Sequence, residues 1–154
     1  MASADVGRFR DDLSKFRIVA FDTNVLIYHL EGLQPYVELT TALIVELASD
    51  GLEGIVSAVS LAELLVGPHR EGDSSKVAAA RDFVLGLPNA TLIGVGADVA
   101  DQAARFRAEG LRMPDALIAA SGTEGGAEAI VTNDPGMRRQ IDGLPPVILL
   151  DDYC

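Results

Sequence analysis

An α/β fold on a parallel sheet of four or five strands is what the chain predicts, and three observations carry it. Short apolar runs recur along the sequence, stretches of helical periodicity separate them, and prolines and glycines stand where those stretches start and stop. The first run, Ile18 to Phe21, ends at Asp22. A second lies around Ile55 to Val59, just before Ser60. The third covers Thr91 to Val95, the fourth Ala129 to Thr132 and the fifth Val147 to Leu150. All are continuously apolar rather than alternating, as suits parallel strands covered on both faces.

The segments between them read as helices. Val6, Phe9, Leu13 and Phe16 keep helical spacing, which predicts a short docked helix in an extension of residues 1–17, ahead of one domain over 18–154. Pro35, then Val37, Leu43, Ile44 and Leu47, with a stop at Gly51, places proline near a helix start and glycine past its end. Asp73 or Ser74 caps a helix through Val77, Ala80, Phe83 and Val84. Asp98 to Glu109 is amphipathic and stops at Gly110, and Pro114 opens a last helix through Leu117, Ile118 and Ala120.

The bulk numbers narrow the function. With 154 residues, 49% of them hydrophobic, the chain has material for one core and not two domains. No apolar run reaches the roughly 20 residues that span a bilayer, and the first residues carry Asp5, Asp11 and Asp12, so the expectation is a cytoplasmic protein with no membrane partner. The single Cys154 allows no internal disulfide. A formal net charge of -11 excludes binding of nucleic acid through a broad basic face. An RNA-handling protein of this charge needs a bound cation and a few local arginines; a basic protein partner is the other natural consequence.

Four acids then draw together. In a parallel sheet, the carboxyl ends of the strands and the amino ends of the following helices share one edge, where ligands bind. Asp22 ends the first strand and Asp134 follows the fourth. Glu63 is expected in the first turn after Ser60, and Asp115 in the first turn after Pro114. Close carboxylates raise one another's pKa, and a divalent cation relieves them. All-oxygen ligands select Mg²⁺ or Mn²⁺, a chemistry suited to phosphodiester hydrolysis.

Each acid also has a structural explanation. Ser60-Leu61-Ala62-Glu63 has capping-box spacing, Asp115 suits a helix dipole, Asp134 can cap a turn and Asp22 a helix over Val25 to Leu30. Only their coincidence at one edge favours chemistry. His29 is expected packed in a helix and His69 exposed in a loop around Pro68, neither with a catalytic partner at useful spacing. Ser121 has no triad partner in sight, and Gly94-Val95-Gly96 is too short for a dinucleotide loop.

Four segments resemble the PIN-domain ribonucleases of the VapC toxin type. They are Ile18 to Ile27 (with Asp22-Thr23-Asn24), Ser60-Leu61-Ala62-Glu63-Leu64, Pro114-Asp115-Ala116-Leu117-Ile118-Ala119-Ala120, and Ile130-Val131-Thr132-Asn133-Asp134. Their order and spacing carry the likeness over about Ile18 to Leu150. The resemblance implies a three-layer α/β/α fold and a Mg²⁺-dependent endoribonuclease, Mn²⁺ being the other candidate ion. It further implies an RNA substrate, a cognate antitoxin and a homodimer. By position, Asp22, Glu63, Asp115 and Asp134 become catalytic metal ligands, with Asn24 or Thr132 placing a water or a neighbouring carboxylate. An arginine from the antitoxin would mimic the cation. Arg112, Arg138 and Arg139 are the phosphate-contact candidates. Two departures stand out: Pro135-Gly136-Met137 occupies the place where the family often carries a further acid and an aromatic, and the amino-terminal extension is longer than usual. A DNA-directed metal nuclease or phosphatase, and a silent PIN-like binding module, are the rival functions.

Overall fold

In the computed structural model, which describes residues 3–154, the five strands form one all-parallel sheet. They are β1 (Ile18–Phe21), β2 (Glu53–Ser57), β3 (Ala90–Ile93), β4 (Ala129–Thr132) and β5 (Val147–Leu149), ordered β3-β2-β1-β4-β5. Ala20 stands opposite Ile55 on one side and Ile130 on the other. Parallel strands need long crossovers, and these are helical: α2 (Thr23–Glu31) and α3 (Tyr36–Ala48) after β1, α4 (Ala58–Arg70) and α5 (Ser74–Leu85) after β2, α6 (Ala97–Ala108) and α7 (Met113–Glu124) after β3. A first helix, α1 (Val6–Leu13), precedes the sheet.

Alternation along each strand sorts the interior into two cores. Val19, Phe21, Val56 and Val131 face one way and pack with Phe9, Leu13, Leu26, Leu39, Leu43 and Leu47 of α1 to α3. Ala20, Ile55 and Ile130 face the other and pack with Val99, Phe106, Ala116 and Ala120 of α6 and α7. Helices on both faces of one sheet make the three-layer α/β/α arrangement. Gly54 is required within it, because a Cβ there would lie 2.7 Å from the Phe21 ring.

Three expectations are corrected. Strand β2 stops at Ser57, whose side chain accepts from Val59 N (3.1 Å) and caps α4, so the helix starts before Ser60. Pro68 and His69 lie inside that helix rather than in a loop; proline at this point costs little because the helix ends within a turn. Strand β3 is an edge strand with Leu92 38% exposed, not a strand buried on both faces.

Candidate active site at the carboxyl edge of the sheet

Asp22 leaves β1 in extended conformation and caps α2: its Oδ1 accepts from Thr23 N at 2.7 Å. Its Oδ2 accepts from Thr132 Oγ1 at 2.7 Å and Asn24 Nδ2 at 3.4 Å. Asp22 is only 5% exposed, and burial pushes its carboxyl above the ordinary range; the Thr132 and Thr23 bonds oppose this, and the charges of Asp115 and Asp134 add to it. It is both helix cap and part of the acidic edge, so one role does not displace the other.

Asp134 likewise has two roles. Its Oδ1 accepts from Gly136 N (2.8 Å) to start a short 3₁₀ turn, Pro135–Met137, while its Oδ2 faces Arg112. Asp115 sits in the first turn of α7, which Gly122 lets approach β1: a Cβ there would lie 2.9 Å from that of Ala20. Burial raises the Asp115 carboxyl; Arg112 counteracts this, while Asp134 and Glu63 reinforce it. Glu63 lies in the second turn of α4, exposed, and Ser60 is buried inside the helix. The capping box therefore does not form. Instead, Thr23 Oγ1 donates to Glu63 Oε1 at 2.7 Å and lies 3.0 Å from Ser60 Oγ.

Three residues stitch the four acids together, Thr23 through its backbone N–H as well as its hydroxyl. Thr23 joins Asp22 to Glu63; Thr132 joins Asp22 to Asp134, whose backbone N–H donates to Thr132 Oγ1 at 3.0 Å. Arg112 joins Asp115 (Nε to Oδ2, 3.3 Å) to Asp134 (Nη2 to Oδ2, 3.9 Å). Asn24 ties the edge further by accepting from Asn133 N (3.1 Å) and donating to Thr132 Oγ1 (3.3 Å). In the sequence Thr23 stands out only as a small polar residue beside Asp22; its hydroxyl bond to Glu63, forty residues on, carries no spacing signal.

The other predicted arginines are held elsewhere. Arg138 pairs with Asp152 (2.7 Å), and Arg139 donates to the Gly136 carbonyl (3.2 Å). Ser121 is buried, shares a 2.8 Å hydrogen bond with Ser57 and donates to the Leu117 carbonyl, so its role is structural. His29 bonds Thr40 (3.0 Å) and stacks on Phe83, which burial matches with a lowered pKa.

A divalent ion can be tested against this set. The donors are hard carboxylate oxygens with no sulfur or imidazole, which fits Mg²⁺ or Mn²⁺. Among the described residues, however, no three carboxylate, imidazole or thiol side chains form a ready-made ligand group. Arg112 stands between Asp115 and Asp134, and like charges repel one another at short range. The chemistry of the donors fits, with the side chains needing to converge.

A family model of the PIN domain matches residues 19–142. No curated protein matches the chain. Solved structures do. The VapBC2 complex of Rickettsia felis bound to a promoter DNA fragment is 22% identical, covers 86% of this chain and 98% of its own, and has a TM-score of 0.64. The DNA-bound VapBC of Salmonella typhimurium is 20% identical, with 87% and 98% covered and a TM-score of 0.62. VapC20 of Mycobacterium tuberculosis, described as a toxin that cleaves the sarcin-ricin loop, is 16% identical, with 73% and 86% covered and a TM-score of 0.56. At these identities the likeness is one of fold.

Proposed function

Because the chain belongs to the PIN-domain family, we propose that it is a divalent-metal-dependent endoribonuclease acting as the toxin of a toxin–antitoxin pair. One observation carries the reading: a buried carboxyl with raised pKa, Asp22, ends the central strand and feels the charges of two further acids there. Nothing about a helix cap calls for that arrangement.

In this reading Asp22, Glu63, Asp115 and Asp134 hold Mg²⁺ or Mn²⁺. The ion, when bound, neutralises phosphate charge and lowers the pKa of the attacking water. The chain's own residues prepare the rest. Thr132, Asn24 and the Thr23 backbone N–H fix both oxygens of Asp22 so that the carboxylate does not rotate. Thr23 orients Glu63 by its hydroxyl. The amino ends of α2 and α7 open at the same edge and add partial positive charge where a phosphate would lie. Asn24 and Thr132 are thus the positioning residues of the site.

The toxin part of the reading is supported by similar solved folds that include toxin–antitoxin complexes. It is further supported by an apolar trough between α2, α4 and α5, about 470 Å³, lined by Ile27, Leu30, Leu64, Pro68 and Ala80 and opening at Glu63. An amphipathic antitoxin segment fits such a groove. A homodimer in the cytoplasm completes the proposal, and among the described residues no helix is long and apolar enough to cross a membrane.

The deciding experiment incubates purified protein with RNA and with DNA oligonucleotides in Mg²⁺ or Mn²⁺. RNA is cut, DNA is not, and Asp22→Asn and Asp115→Asn each slow the cut at least about 100-fold. Cleavage of DNA instead moves the reading to a DNA nuclease. No binding of either ion by calorimetry makes the chain a silent binding module.

A further inference from the structure

Arg112 is the one cation that pairs with any of the four acids among the described residues. It occupies the capping position of α7 in extended conformation, three residues ahead of Asp115, with nothing else fastening its side chain. Its guanidinium lies against Asp115 Oδ2 and Asp134 Oδ2, at 3.3 and 3.9 Å, bidentate to neither. The side chain is 77% exposed. Such a pair is weak and easily exchanged, in contrast to the short Arg138–Asp152 contact of 2.7 Å.

We propose that Arg112 is an exchangeable counter-ion of the acidic edge, which a divalent ion displaces and which then holds the substrate's phosphate. The inference rests on the nuclease reading above. The two oxygens that Arg112 faces belong to acids assigned to the ion, so both cations cannot have them fully. A doubly charged ion wins that competition by charge and compactness, but its affinity is reduced by whatever Arg112 contributed. The released guanidinium remains at the edge, anchored by the start of α7. Its planar fork matches two phosphate oxygens, and it has solvent around it to swing through. In a chain of 23 acidic and 12 basic residues, a local cation that is free only once the acids are satisfied keeps phosphate out until the ion is in place.

The test uses wild type, Arg112→Ala and Arg112→Lys. Mn²⁺ affinity is measured by calorimetry without RNA. Binding of an RNA oligonucleotide is then measured in saturating Mn²⁺ on a time scale shorter than its cleavage, with gel electrophoresis verifying that the RNA stays intact. Arg112→Ala binds Mn²⁺ roughly fivefold tighter and the oligonucleotide roughly fivefold more weakly. Arg112→Lys retains near wild-type Mn²⁺ affinity because its charge remains, and binds the oligonucleotide at an intermediate level because the fork is gone. Effects of opposite sign are the signature; a merely structural residue moves both the same way. Unchanged or weaker Mn²⁺ binding in Arg112→Ala overturns the inference and leaves the nuclease reading intact. Unchanged oligonucleotide affinity overturns it as well. Failure of the wild type to bind Mn²⁺ removes both.

Discussion

The two edges of the same sheet treat their acids in opposite ways. At the carboxyl edge Asp22 is buried among like charges and its carboxyl is pushed up. At the amino edge, Glu128 precedes β4, is exposed, and accepts from the backbone N–H groups of Arg17 (2.7 Å) and Ile18 (3.1 Å), which lowers its pKa. Glu128 is matched to its surroundings as it stands. Asp22 carries charge that its surroundings leave partly unanswered, and only that kind of carboxylate has something to gain from a ligand.

The largest break of this contrast is by activity. Asp22→Asn lowers metal-dependent RNA cleavage at least about 100-fold, whereas Glu128→Gln leaves it within about twofold. Equal losses in an oligonucleotide cleavage assay would mean that the edges do not differ functionally.

A smaller effect tests what supports Asp22. Thr132→Val removes the hydroxyl that donates to Asp22 and accepts from Asp134 N. Calorimetry should then show metal affinity down about tenfold, and thermal melts a loss of about 1 kcal/mol from the half-buried Asp134 N–H left without its partner. A lower melting temperature at unchanged metal affinity would make Thr132 scaffolding alone.

The smallest effect is in the pH dependence of stability, measured in chelator. Asp22 has a raised folded pKa, so its charge disfavours the native state at neutral pH and stability is regained as pH falls through that folded value toward the unfolded 3.8. Asp22→Asn is therefore more stable than wild type at pH 7, by a margin that closes in acid. Glu128 runs the other way: its contribution is present above the unfolded 4.5 and is lost as pH falls through the lowered folded value. Glu128→Gln is thus slightly less stable at pH 7 and converges with wild type in acid. Denaturant melts across pH 3 to 7 give both slopes; slopes of the same sign would refute the comparison.

The sequence carried the sheet well because continuous apolar runs and the Pro35 and Gly51 boundaries are local signals. It misplaced the start of α4, where the apolar run Ile55 to Val59 crosses from strand into helix without a break, and Ser57 rather than Ser60 does the capping. It read β3 as buried because hydropathy does not reveal which strand ends up on an edge. At the acidic edge Asp22, Asp134 and Asp115 were visible as strand-end and first-turn residues, Glu63 fell a turn later than its spacing from Ser60 predicts, and the links between the acids were not visible. Thr23 bridging to Glu63 and Arg112 bridging Asp115 to Asp134 depend on side chains meeting across elements, which no spacing encodes.

The strand order has a consequence for when the site dissolves. Asp22 and Asp134 follow β1 and β4, which stand third and fourth of five, while the exposed β3 lies at one end. Fraying from β3 inward leaves the acids in register, so amide exchange at Ala20 and Val131 should report global opening long after Thr91 has exchanged. An ion held between those strands and the helices α4 and α7 would tie sheet and helices into one unit, making the chemistry of the edge and the endurance of the fold a single property.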